Sequence, residues 1–314
     1  MGHWRWSLRF AFAACAALAL SCSLVGPSRA QTDWRNELGT FRVGIVANAD
    51  SDRAAIRAEP FRLALEEGLG MPVEIYVARD YAALAAAASQ QRIEYAVLSA
   101  LAYAIAWKNC ECIEGMAVPR AADGSNAFRE ILIGHAGGPS SIANIAAARI
   151  GLIDSVAAGG IEIALAELAA SGTDLKDKRQ EMLAKPDGES LLRALAEREV
   201  DAIFGWSSQL SAPQSADAPG TFQRMGILEM NPADYKIIWQ SSPVPYRVHA
   251  VSIKLAAEAK TIIRSLLTAM FNTDPVAYDA IEPVLGGGFD PARPGMFEKL
   301  QLVFEENTGP ASAE

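Results

Sequence analysis

The feature that most constrains this chain is an alternation of short β-rich runs with helical windows, broken once and then resumed. Phe41–Val46 is a β-rich run. Residues 53–68 follow, with Ala55, Phe61, Leu65 and Leu69 on one stripe at helical spacing. Residues 73–77 read as strand, 81–91 as an Ala-rich helix, Tyr95–Leu98 as a buried strand and 103–108 as helix. Two more strand-like runs, 115–118 and 130–135, complete the series. Such alternation predicts a mostly parallel sheet with helices on both faces, because parallel strands need crossover connections.

The break is Gly137-Gly138-Pro139-Ser140-Ser141. Beyond it, 149–153 reads as strand, 160–171 as a helix ending before Gly172, 190–198 as helix, and 200–204 and 235–239 as strands. Pro243 and Pro245 stiffen a second crossing, near 240–247. Residues 248–253 alternate as a strand, and 256–271 and 294–306 are helical, with Gly286-Gly287-Gly288 turning between them. The expectation is a two-lobed α/β fold: lobe 1 from residues 40–135 and 246–314, lobe 2 from 136–245, joined by two hinge crossings.

The N-terminus limits where such a protein works. Arg5 and Arg9 precede an almost pure Ala/Phe/Leu run, and Ser28-Arg29-Ala30 places small residues ahead of Gln31. Residues 1–30 therefore read as a secretory signal whose apolar run is short for a bilayer span. Cys22, after Leu18-Ala19-Leu20-Ser21, offers a rival processing site with a lipid anchor. Removing residues 1–30 removes three arginines and no acid, leaving 25 basic against 37 acidic side chains, a balance of −12. That balance argues against nucleic acid, whose binding needs lysine and arginine against phosphates. Cys110 and Cys112 are the two cysteines outside the signal, read as partly buried thiols or a local disulfide.

Ligands of open α/β sheets bind beyond the carboxyl ends of the strands. Four such corners carry small or polar residues: Asn48-Ala49-Asp50-Ser51, Ser99 to Tyr103, Asp154 to Gly160, and Gly205-Trp206-Ser207-Ser208. A helix N-terminus there exposes unpaired N–H groups and partial positive charge, which suits an anion. Tyr81, Tyr103, Trp206 and Tyr246 are candidate cleft walls. His135 and His249 sit in or beside apolar strands and read as structural. No GxSxG, HExxH, P-loop or early GxGxxG motif is present, so no catalytic residue, metal or cofactor is expected.

The order of segments resembles the phosphate/phosphite/phosphonate substrate-binding proteins of ABC transporters, a family with the type II periplasmic binding fold. The stretches carrying it are Phe41-Arg42-Val43-Gly44-Ile45, Pro60-Phe61, Gly70-Met71-Pro72-Val73, Asp80-Tyr81, Ser99-Ala100-Leu101-Ala102-Tyr103, Glu199-Val200-Asp201-Ala202 and Ser241-Ser242-Pro243-Val244-Pro245. The resemblance implies a periplasmic, monomeric, non-enzymatic protein that clamps a small polar ligand such as an oxyanion and delivers it to a membrane permease. It places anion contacts at the corner opening the second lobe, where Ser155 is the one hydroxyl, and at a histidine whose place falls near Gly188-Glu189. Glu189 and Asp154 in the cleft would favour an amine or zwitterion over a dianion. The expected ligand-binding set is Asn48, Ser99, Tyr103, Ser155, Gly159, Asp201 and Ser207. A sensor module for a kinase, or an enzyme on the same fold, are the alternative readings.

Overall fold

The computed structural model describes residues 33–47, 51–153, 160–175, 177–210, 214, 219–297 and 300. The chain divides into two compact units at Gly39/Thr40. The described part of the first is one helical turn, α1 (Trp34–Leu38), whose Arg35 N–H donates to the capping Asp33 carboxylate at 3.2 Å.

The larger unit holds two six-stranded sheets. β1 (Phe41–Val46), β2 (Val73–Ala78), β3 (Tyr95–Leu98) and β4 (Ile113–Pro119) belong to the first. They alternate with α2 (Ser51–Leu69), α3 (Tyr81–Ser89) and α4 (Ala100–Cys110). The second sheet holds β5 (Ala127–His135), β6 (Ile150–Ile153), β7 (Leu183–Lys185), β8 (Ala202–Ser208), β9 (Tyr235–Gln240) and β10 (Val244–Pro245). Its helices are α5 (Gly160–Ala170), α6 (Gly188–Ala196) and α7 (Thr221–Ile227). The chain then returns to the first sheet with β11 (Val248–Ser252), α8 (Ala257–Thr273), α9 (Pro275–Ile281) and β12 (Phe289–Pro291).

The sheets repeat one plan. In the first, β1 lies parallel between β2 and β3, and antiparallel β11 separates β3 from β4. In the second, β6 lies parallel between β7 and β8, and antiparallel β5 separates β8 from β9. In each sheet the inserted strand is the one delivered by the crossing from the other. The sheets are therefore mixed rather than mostly parallel: a strand that has just crossed enters next to the third strand and runs against it.

One expected boundary moves. Residues 130–135 read as the close of the first lobe, but β5 pairs with β8, β9 and β10 in the second sheet. The first crossing thus lies between Pro119 and Ala127, ahead of the expected break. Apolar residues on both faces of β5 explain the misreading. Ile131 and Ile133 pack against α6 and α7, Leu132 packs against α5, and such a two-faced run does not say which sheet it enters. The Gly137–Gly138 break is a surface turn, held where the Lys236 ammonium donates to the carbonyls of Ala136 (2.8 Å) and Gly138 (3.2 Å). Cys110 and Cys112 are joined by a disulfide at the end of α4. No helix among the described residues is long and apolar enough to cross a membrane.

Candidate functional site

Two adjoining pockets open at the carboxyl ends of the parallel strands, where open α/β sheets bind ligands. One, of about 140 Å³, lies at the end of β1 (Ile45, Val46) and is lined by Arg57, Tyr81 and Arg247. The other, of about 470 Å³, lies over the ends of β6 and β8 and is lined by Ile153, Phe204, Trp206, Thr221 and Arg224. Val284, just after α9, lines both. Residues from both sheets and both crossings thus face one cleft, with Arg57 and Arg247 on one wall and Arg224 on the other.

Local structure explains how these groups are held. Arg247 follows the second crossing directly. Its guanidinium sits 3.5 Å from the carboxylate of Glu282, which is almost wholly buried. The other oxygen of Glu282 lies 2.9 Å from His249 Nε2, and His249 Nδ1 meets the Tyr95 hydroxyl. Each oxygen of this buried carboxylate thus has a partner, and the Arg247 guanidinium offsets its charge. The chain Tyr95–His249–Glu282–Arg247 therefore fixes one arginine at the cleft wall. Burial works against the charge on Arg247, but Glu282 and Tyr81 together outweigh it and its pKa is raised. Burial likewise raises the pKa of the neighbouring Tyr81 phenol, with Arg247 opposing. His249 is structural, held from both ring nitrogens.

On the other wall, the Trp206 N–H donates to Thr221 Oγ1 at 2.9 Å, binding β8 to the start of α7. A Cβ on Gly205 would stand 2.4 Å from that same oxygen, so this approach of helix to strand requires glycine. Beneath lies an aromatic cluster: Phe128 stacks on Tyr246 with centroids 5.6 Å apart, and Trp206 meets both edge-on at 6.2 Å. The Tyr246 hydroxyl is 3.1 Å from Ser125 Oγ, which donates to Asp123 Oδ1 at 2.6 Å. Ser208, ending β8, donates to the other Asp123 oxygen and lies 2.9 Å from Ser125 Oγ. One polar knot therefore ties the first crossing, the second crossing and β8 together.

Of the sequence-expected cleft walls, Tyr81, Trp206 and Tyr246 line these pockets, while the described members of the expected ligand-binding set have partners of their own. The Ser99 hydroxyl accepts the Ala102 N–H at 3.2 Å and caps α4, so it is committed to the helix. Tyr103 is buried; its hydroxyl accepts the Gly115 N–H at 3.2 Å and its ring packs on Phe297 at 4.6 Å. It lines a separate pocket of about 490 Å³ with Trp107, Glu114 and Arg264. Asp201 accepts from the Arg149 backbone N–H and guanidinium at 2.7 to 3.1 Å, and Arg149 holds its carboxyl below the usual range. It precedes β8, about 20 Å along the strand from Ser207 at ~3.3 Å per residue. Ser207 is buried, with its hydroxyl 3.4 Å from the Ser208 carbonyl. Asn48, Ser155, Gly159 and Asp154 lie outside the described residues. Glu189 pairs with Arg193 on α6 at 2.7 Å. Among the described residues, no cluster of His, Cys, Asp and Glu could hold a metal ion.

Arg57, Arg224 and Arg247 were not singled out from sequence. Arg247, next to the prolines of the second crossing, carried a readable signal, since crossings line the cleft. Arg57 and Arg224 are single exposed cations on helices, a pattern shared by many surface residues.

A search of curated proteins gave no match. Solved structures of the same fold include a Xanthomonas citri protein bound to ATP (TM-score 0.62, 14% identity, 86% of this chain and 98% of that one). A second is the Prochlorococcus marinus protein PhnD1 in complex with methylphosphonate (TM-score 0.58, 12% identity, 86% and 98%). A third is a binding-protein component of an ABC phosphonate transporter from Pseudomonas aeruginosa (TM-score 0.55, 18% identity, 86% and 87%). All share the two-sheet, type II periplasmic binding fold. The family model for ABC-transporter phosphonate periplasmic substrate-binding proteins matches residues 43–296, most of the sequence. The chain belongs to that family of periplasmic substrate-binding proteins of ABC transporters.

Proposed function

We propose that the cleft lined by Arg57, Arg247 and Arg224 is the ligand site, and that its ligand is a small organic anion. The observation that carries this reading is charge placement. The sequence has a formal net charge of −9, yet cations line both walls of the cleft. A local positive field inside a low-dielectric crevice concentrates anions whatever the net charge. Arginine also presents a planar fork matched to phosphonate, sulfonate or carboxylate oxygens. The neighbours from Prochlorococcus marinus and Xanthomonas citri, whose bound molecules carry phosphorus oxyanions, support the same class.

The rest of the reading follows. Residues 1–30 direct export and are removed. The remaining chain works as a monomer, catalyses no reaction and hands its ligand to a membrane permease. The two lobes are residues 40–119 with 248–297, and residues 127–245, closing on the ligand about the knot of Asp123, Ser125, Ser208 and Tyr246.

A thermal-shift screen of residues 31–314 tests this. A ligand at 100 times its dissociation constant stabilises the native state by about 2.7 kcal/mol. Phosphonates and sulfonates should raise the melting temperature, and neutral or cationic solutes of the same size should not. Stabilisation by amines alone would overturn the proposal.

A further inference from the structure

We infer that the ligand of this cleft is an anion carrying an apolar body, alkyl or aryl, and not a bare oxyanion or a short polar phosphonate. The inference rests on the functional reading above and narrows it.

Three observations carry it. The first is size. The larger pocket holds about 470 Å³. A five-atom tetrahedral oxyanion displaces on the order of 100 Å³, scaled from about 30 Å³ per water. Most of the space would stay unfilled around such an ion. The second is the lining. Ile153 and Trp206 are 37% exposed, Ile227 is 76% and Val284 is 83%. All four face this pocket, Val284 from the first-sheet side and the others from the second. Large apolar side chains left open to water on facing walls gain only by covering something apolar. The third is the scarcity of charge: Arg224 is the one charged side chain among the described residues lining the larger pocket. The anionic head therefore lies toward the arginines of the two walls, and the rest of the larger pocket is left to an uncharged body. The Trp206 ring, fixed at its backbone by Thr221, gives a flat face for an aryl or branched group.

Titration calorimetry on residues 31–314 with inorganic phosphate, methylphosphonate, butylphosphonate and phenylphosphonate tests this. Each methylene buried strengthens binding about fourfold, so butylphosphonate should bind on the order of 50-fold tighter than methylphosphonate. Phenylphosphonate should exceed methylphosphonate by at least tenfold. In Trp206→Ala and Val284→Ser the gain from methyl to butyl or phenyl should shrink. Val284 is 83% exposed, so Val284→Ser leaves the fold intact, and urea denaturation checks Trp206→Ala, which also removes ring contacts to Phe128 and Tyr246. Affinity that is flat or falls along the series overturns the inference and leaves anion binding standing. Failure of every anion to bind overturns both. A steep series left unchanged by both substitutions also overturns it, since the apolar body would then sit elsewhere.

Discussion

Glu130 offers the sharpest quantitative test of how this molecule is built. It sits on β5 opposite Trp206, and its residue is 8% exposed. Its backbone is well satisfied: the N–H donates to Ser241 Oγ at 3.0 Å and the carbonyl accepts the Ser241 N–H at 2.8 Å. The carboxyl is different. Burial alone pushes its pKa up from 4.5 to about 8. A carboxyl raised in this way binds its proton in the native state while the unfolded chain has released it. Below pH 4.5 both states are protonated and the group costs nothing. Between 4.5 and 8 the native state holds more protons, so stability falls as pH rises, by about 1.4 kcal/mol per unit. At pH 7 the penalty is about 3 kcal/mol, and above pH 8 it levels off near 5 kcal/mol by the same linkage. Glu130→Gln keeps the shape and cannot ionise. The variant should therefore match the parent near pH 4 and exceed it increasingly to pH 8. Urea denaturation at pH 4.5, 6, 7 and 8 reads this directly. A parent-to-variant difference that stays constant with pH would refute the reasoning, because it would mean that Glu130 ionises equally in both states.

Other consequences are simpler to check. Asp201→Asn should cost no more than about 1 kcal/mol, since its pair with Arg149 is exposed, and should leave anion affinity within twofold by calorimetry. Ser99→Ala removes the cap of α4 and should lower stability by about 1 kcal/mol in urea denaturation. Ser208→Ala breaks the knot around Asp123. It should destabilise by about 1 kcal/mol through the lost hydrogen bonds of the buried Ser208 hydroxyl to Asp123 and Ser125, measurable as a lower urea midpoint. Affinity for any bound anion should fall as salt rises from 50 to 500 mM, because screening weakens the arginine field.

What the sequence revealed depends on whether a feature was local. β1, β3 and α2 were legible because each is a continuous apolar run or a stripe at helical spacing that packs where it stands. The Ser99 corner was legible as a helix start, and that is its role. β7 is three residues long and β10 two, too short for any period to register. The sheet joined by β5 was not legible, because sheet membership is settled by partners far along the chain. The three cleft arginines were not legible for the same reason. Arg57 on α2, Arg224 on α7 and Arg247 after the crossing are separated by 23 to 190 positions and meet only through the fold. Net charge also misled: an acidic total hid a cleft lined with cations. Asp201 shows the converse, a familiar local pattern whose carboxylate pairs with Arg149 at the far end of β8.

The central claim is that an anion binds between the arginines of the two walls. Calorimetric titration of phenylphosphonate into residues 31–314, with Arg224→Ala and Arg247→Ala beside the parent, tests it most directly. Loss of a charged hydrogen-bond donor to an anion costs about 1.5 to 3 kcal/mol, so each variant should bind at least tenfold more weakly. Parent-like affinity in both variants would contradict the account.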